Sequence, residues 1–116
     1  MLELDGSIWF RSGAQTWGGK NRIDLLAQID ATGSITAAAR AVGMSYKGAW
    51  DAIDAMNNLA GEPLVVRAAG GKGGGGTLLT DRARRLIATF RALEAEHRKF
   101  MDNLTRAGLD ASGDID

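Results

Sequence analysis

A mainly α fold carrying a small β-hairpin is predicted by three features of this 116-residue sequence. Two short apolar-periodic segments, each preceded by a serine, are joined across Gly43. A glycine block, GGKGGGG from Gly70 to Gly76, stands between two β-prone stretches. A long segment from Thr80 to Leu104 then holds a helical apolar seam. Two helices about a tight turn, a hairpin with a bare loop and a long closing helix follow in the order of a winged helix-turn-helix. Residues 1–106 read as one domain, with 80–104 as its dimerisation helix, and 107–116 as a flexible acidic tail.

Taken in order, Leu2 to Arg11 reads as a strand, interrupted near Asp5-Gly6. Ser12 to Lys20 reads as a loop whose Trp17 lies across the edge of the core. Asn21 to Thr32 is the first helix, with Ile23, Leu26, Ala27 and Ile29 on its apolar face and Gly33 as its stop. Lys20 and Arg22 stand at its start, where the helix dipole favours acids. They are consistent with a nearby phosphate, and more so with a solvated surface.

Ser34 caps the next helix, with Ile35, Ala38, Ala39 and Val42 on one face and Gly43 after them. Ser45 caps the one after. Its buried side is marked by Trp50, Ile53, Met56 and Ala60; Tyr46, Lys47, Gly48, Asp51 and Asp54 lie off that stripe. The three alanines 37–39 let the two helices cross closely. Gly61 and Pro63, the sole proline, end the second helix at about Leu59. Leu64 to Ala68 reads as a strand, the glycine block as its loop, and Thr77 to Leu79 as the return strand. Thr80 then caps the long helix, with Asp81 in its first turn. Ala83, Leu86, Phe90, Leu93, His97, Phe100 and Leu104 alternate in steps of three and four, which is a heptad seam. Its first part must cover the domain core, and its part from Leu93 onward is left for a second copy.

Composition removes several classes of function. With no cysteine there is no disulfide framework, thiolate nucleophile or cysteine-based zinc site, and a reducing compartment fits. MLELDGSIWFRSG has neither the basic leader nor the apolar core of a signal peptide. No apolar run approaches the ~20 residues of a membrane span. The expectation is a cytoplasmic protein that does not engage membranes. Formal net charge is zero, but the acids concentrate late: Asp110, Asp114 and Asp116 leave a body of net +3.

No catalytic constellation is legible, and neither metal nor cofactor is expected. His97 is the sole histidine, with no ligand partners, and is read as a register-setting polar residue in the seam. The glycine block fails as a P-loop, because Lys72 is followed by Gly73 and then by a strand rather than by Ser or Thr and a helix. As a wing it makes sense. Its backbone N–H groups at Gly71 and Gly73 can approach phosphates or the minor groove, and Lys72 adds a charge. Lys47 and Tyr46 in the first turn of the second helix, with Ser45 and Asp51, are the candidate readers of the major groove. Arg40, Arg67 and Lys72 are candidate phosphate contacts, and Ser34 and Thr36 are further candidate DNA-binding residues. The candidate dimer seam is Leu86, Phe90, Leu93, His97, Phe100 and Leu104.

GSITAAARAVGMSYKGAWDAIDAMNNL followed by LVVRAAGGKGGGGTLLT resembles the N-terminal DNA-binding domain of the ModE family of molybdate-responsive transcription regulators. The carrying features are the pattern from Ser45 to Asn57, the wing from Gly70 to Gly76, and Leu79-Thr80 opening the last helix. The resemblance covers about Asn21 to Leu104. It implies a LysR-like winged helix, dimeric through its long helix, on palindromic operator DNA, in control of molybdenum-related genes. That family carries small β-barrel molybdate-binding domains after this one, for which residues up to Asp116 hold no counterpart, so molybdate is not expected to bind here. Two other readings stay open: a winged-helix protein-interaction module, and a small oxyanion-binding protein using the glycine loop as a nest.

Overall fold

The computed structural model describes residues 2–68 and 76–109. In chain order these form β1 (Trp9–Ser12), β2 (Gln15–Gly19), α1 (Lys20–Thr32), α2 (Ile35–Val42), α3 (Tyr46–Ala60), β3 (Val65–Arg67), β4 (Thr77–Leu79) and α4 (Asp81–Leu104). A π-helical turn, Thr105–Leu109, closes the described chain. The fold is mainly α with the expected hairpin after the helix-turn-helix and a long terminal helix.

Three of the four described α-helices start at a side-chain cap, while α1 follows Gly19 without one. Ser34 Oγ accepts the Ala37 N–H at 3.1 Å and Ser45 Oγ accepts the Gly48 N–H at 2.9 Å. Thr80 Oγ1 accepts the Ala83 N–H at 3.3 Å and itself donates to the Pro63 carbonyl at 3.0 Å. Gly33 and Gly43 end α1 and α2 in the left-handed region, at φ 68° and 75°, where a side chain costs about 1–2 kcal/mol.

The buried side chains come from every layer. Ile23, Leu25, Leu26 and Ile29 of α1, Ile53 and Met56 of α3, Leu64 and Phe90 are fully enclosed. The buried stripe of α3 centres on Ala49, Ala52, Ile53 and Met56, which corrects the sequence-based placement of Trp50 and Ala60 within it; both are only half-buried. Small residues at 49 and 52 let α3 approach its neighbours closely, and Trp50 is left at the border of that contact.

The N-terminal region departs most from expectation. The stretch read as a strand from Leu2 to Arg11, interrupted near Asp5-Gly6, pairs only over Trp9–Ser12, and the stretch read as a loop holds β2. The two strands form a hairpin around Gly13-Ala14, with Ser12 opposite Gln15 and Gly13 at φ 61°. That is the glycine-first two-residue turn whose twist suits paired strands. The register shifts between Phe10 and Arg11, leaving Trp17 unopposed. This bulge turns Trp17 into the core, where Phe10 meets it edge-on at 5.7 Å and meets Phe90 at 5.5 Å.

Residues before β1 lie instead along the far half of α4. The Leu4 N–H donates to Thr105 Oγ1 at 3.0 Å, and Arg98 donates to the Leu4 carbonyl at 3.1 Å. A Cβ at Gly6 would stand 3.5 Å from His97 Cε1 and 3.6 Å from Met101 Cε. Asp5 accepts the Gly6 N–H and an Arg98 N–H, which together hold its carboxyl below the ordinary carboxylate range. Thr105 also donates back to the Met101 carbonyl at 3.0 Å, where the ladder widens into the π turn. Residues 107–109, read as part of a frayed tail, therefore belong to the helical end; residues 110–116 lie outside the described residues.

The seam of α4 divides. Ala83 and Phe90 are buried in the protomer's own core and Leu86 is packed against it. Phe90 is 1% exposed, so it is a core residue and not part of an intersubunit seam; Leu86 is half-covered in the same way. Leu93 and Phe100 are 46% and 58% exposed, and His97 and Leu104 are half-buried. Phe90→Ala is expected to lower the free energy of urea unfolding by about 3–5 kcal/mol, whereas Leu93→Ala in dilute monomer should change it by less than about 1 kcal/mol. Equal losses would return Phe90 to the surface seam.

Candidate nucleic-acid interface

The turn between α2 and α3 places a polar helix end on the outside of the molecule. Ser45, Tyr46 and Lys47 are all exposed, Tyr46 at 57%. Lys47 and Asp51, one turn apart, form an ion pair at 2.7 Å with side chains 85% and 64% exposed. The Asp51 carboxylate, first through its hydrogen bond and then through its charge, raises the Lys47 ammonium above its ordinary value of 10.5. Lys47 is thus a fixed cation throughout the physiological range, carried on the first turn of α3.

The hairpin lies beside this end. Val65 pairs with Leu79, Val66 with Leu78 and Arg67 with Thr77, and the Ala68 N–H donates to the Gly76 carbonyl at 2.8 Å. At its base the Thr80 N–H donates to the Leu64 carbonyl at 3.0 Å, extending the ladder by one rung, and the Thr77 N–H donates to the Gly33 carbonyl at 3.0 Å, which ties the stem to the α1–α2 turn. Asn57 Oδ1 accepts the Leu64 N–H at 2.9 Å, fixing where the chain leaves α3. The loop candidates Gly71, Lys72 and Gly73 lie outside the described residues.

Between hairpin stem and helix-turn-helix runs an open cavity of about 440 Å³. Ser34 and Thr36 from the start of α2, Tyr46 and Trp50 from α3, and Arg67 and Thr77 from the hairpin line it. The structure thus gathers Ser34, Thr36, Tyr46 and Arg67 around one depression. Ser45, Lys47 and Asp51 stand beside it on α3, and Arg40 is exposed in the last turn of α2. Ser34 and Ser45 spend their hydroxyl oxygens on capping, so both act first as structural residues.

Lys20 and Arg22 are placed elsewhere and are occupied. Lys20 pairs with Asp24 at 2.7 Å, and Arg22 donates to the Trp17 carbonyl at 2.7 Å. This settles them as local structural groups. What the sequence reading missed is the outward face of Trp50. Tyr46 meets it edge-on at 6.4 Å between centroids, and the Arg67 guanidinium carbon lies 5.8 Å from its ring centre. The i, i+4 spacing of Tyr46 and Trp50 was a signal for that pair; the arrival of Arg67 was not visible, because it depends on where the hairpin docks. No group of three or more potential metal-ligating side chains occurs among the described residues, and no described helix is long and apolar enough to cross a membrane.

Residues 21–84 match the family model for bacterial regulatory helix-turn-helix proteins of the lysR family. The chain is 58% identical over 95 residues to the molybdenum transport protein ModE of Azotobacter vinelandii, covering 81% of this chain and 35% of that one. It is 49% identical over 84 residues to the DNA-binding transcriptional dual regulator ModE of Escherichia coli K12, covering 72% and 32%. It is 48% identical over 102 residues to the molybdenum-pterin-binding protein MopB of Rhodobacter capsulatus, covering 88% and 37%. The chain therefore spans about a third of the length of these curated relatives. Among solved structures, a LysR family transcriptional regulator aligns with a TM-score of 0.57 at 17% identity over 78% of this chain and 29% of that one, a likeness of fold.

The Lys47–Asp51 pair gives a direct check on the electrostatics of the helix end. An NMR titration of the Lys47 side chain should find a midpoint above 10.5 in the wild type and a lower one in Asp51→Asn. Because the shift is upward, the pair persists through neutral pH and is lost on the alkaline side as pH rises through that midpoint. Identical midpoints would mean that the two side chains do not pair in solution.

Proposed function

The chain belongs to the lysR family of bacterial regulatory helix-turn-helix proteins, and on that premise we propose that it is a cytoplasmic regulator that binds operator DNA controlling molybdenum-related genes. The observation that carries the proposal is the exposed start of α3, with Tyr46 and Lys47 facing outward beside the anchored stem of the hairpin. A helix end of this kind enters the major groove while the hairpin follows the backbone. The molybdenum link rests on the names of the relatives.

In this reading Tyr46, Lys47 and Asp51 meet base edges, with Ser45 at the same helix end. Ser34, Thr36, Arg40 and Arg67 lie against the sugar-phosphate backbone, and Gly71, Lys72 and Gly73, taken from the sequence alone, are assigned to DNA contact with them. The active form is a homodimer on a palindromic site, with half-sites about one DNA turn apart, ~34 Å. Leu93 and Phe100, the exposed apolar residues on the distal part of α4, supply its contact together with His97 and Leu104. We assign no enzymatic activity to the chain, and no molybdate or other cofactor site.

Selection of duplexes from a random-sequence pool tests the proposal. Recovery of one palindromic motif, bound more weakly as salt rises, is the expected result. Failure to retain any duplex would move the chain to the protein-interaction class. With the selected duplex in hand, Lys47→Ala should weaken its binding by about tenfold while changing affinity for unrelated DNA by less. Equal losses on both would make Lys47 a phosphate contact. Leu93→Glu combined with Phe100→Glu should shift sedimentation from dimer to monomer without changing the circular dichroism spectrum. An unchanged sedimentation coefficient would take these residues out of the interface.

A further inference from the structure

The basic side chains of this domain are not equivalent. Arg82 pairs with Glu62, Arg84 with Asp30 and Asp81, Arg91 with Asp24, and Arg98 with Asp5 and Asp102. Arg22 is bonded to a backbone carbonyl. Each of these spends N–H donors on the protein itself. Arg67, like Arg40 and Arg85, has no carboxylate within ion-pair distance among the described residues; what sets it apart is its neighbour, the Trp50 ring, 5.8 Å from guanidinium carbon to ring centre.

The chemistry of that contact matters. At 5.8 Å the Arg67 guanidinium is within cation–π range of the indole, and a guanidinium that settles face-on to such a ring keeps its five N–H donors pointing outward in its own plane. Stacking therefore restricts the side chain without consuming the fork that binds phosphate oxygens in pairs. Trp50 is in turn held by Tyr46 edge-on at 6.4 Å. Both rings and Arg67 line the cavity between α3 and the hairpin stem.

We infer that Trp50 is a positioning residue for DNA binding: its ring holds the Arg67 guanidinium flat at the mouth of this cavity, aimed at a phosphate of the bound duplex. The inference rests on the DNA-binding reading above and adds to it the link between recognition helix and hairpin. Through this contact, a base-reading element and a backbone-gripping one are placed as a unit. Lysine cannot substitute at 67, because an ammonium offers no planar fork.

The test combines a DNA-free measurement with a double-mutant cycle on the full chain. In the free protein, the Arg67 side-chain Nε–H resonance should show the ring-current shift of a stacked guanidinium, retained in Trp50→Phe and lost in Trp50→Leu. On a duplex selected from a random pool, Arg67→Gln should weaken binding by about tenfold or more, and Trp50→Leu by about fivefold. The double variant should bind no more than about twofold worse than Arg67→Gln alone. Trp50→Phe should stay within about twofold of wild type, and Arg67→Lys should fall close to Arg67→Gln. Thermal unfolding of each variant separates this from damage to the fold, and Trp50→Phe keeps the cycle readable if Trp50→Leu unfolds. Additive losses, or an Arg67 resonance indifferent to Trp50→Leu, would overturn the inference and leave the DNA-binding reading standing. A wild-type chain that retains no duplex, despite a stacked Arg67, would overturn both.

Discussion

One backbone hydrogen bond, from the Thr77 N–H to the Gly33 carbonyl at 3.0 Å, fixes how the two halves of the candidate interface sit together. Gly33 closes α1 through its own N–H to the Ile29 carbonyl, reverses the chain at φ 68°, and hands it to Ser34, the cap of α2. Its carbonyl then receives the start of β4. The approach is close: a Cβ at Gly76 would lie 3.1 Å from the Gly33 oxygen. A bulkier residue at 76 would have to push the strand away from the turn. The glycine at the end of the Gly-rich block thus serves packing as well as loop freedom, and the hairpin is seated against the turn that also orients the α2–α3 pair.

The bond explains why local rules carried the sequence so far and no further. The serine and threonine caps, the glycine stops and the order helix, turn, helix, hairpin, helix were legible because each is decided within four or five residues. Trp50 was misread because its half-buried state is decided by the hairpin that docks on it, which no helical wheel contains. β2 was missed because the alternation that signals a strand is broken twice, by the bulge at Trp17 and by Gly18-Gly19. A glycine-first turn at Gly13-Ala14 was the available clue. Leu25 escaped the apolar face given to α1 because that helix is covered on more than one side, and a single stripe undercounts such a helix. The extended residues before β1 were read as strand since their pattern is compatible with one; their partner is α4, through bonds spanning nearly the whole chain.

Charge shows the same division between local and tertiary causes. A formal charge of zero hides that most arginines on α4 are held by carboxylates of α1, α4 itself or the N-terminal segment. These surface pairs contribute little to stability one by one. What they do is remove cations from competition. Among the described residues, the basic groups left facing outward near the α3 end are Lys47, Arg40 and Arg67. Lys47 has an acid of its own one turn along, so binding to a phosphate or a base edge must exchange that partner, while Arg67 gives up none. A neutral protein can in this way present a locally positive face, which is the distribution that phosphate recognition requires.

The two-part seam of α4 ties the protomer's interior to its exterior. Phe90 lies in the core against Phe10, and Phe10 reaches Trp17 through the bulged hairpin. One turn further on, Leu93 is exposed beside Ile8, Trp9 and Phe10 at an open apolar depression. The same β1 strand therefore turns Phe10 inward and Trp9 outward, and Trp9 is 53% exposed. An apolar face that continues from a core outward costs little to form within one chain and is left wet at its outer edge. Packing of Phe90 against Phe10, with Ala83 and Leu86 in the same core, sets how α4 leaves the domain, and so where its exposed distal residues Leu93 and Phe100 stand relative to the rest of the protomer.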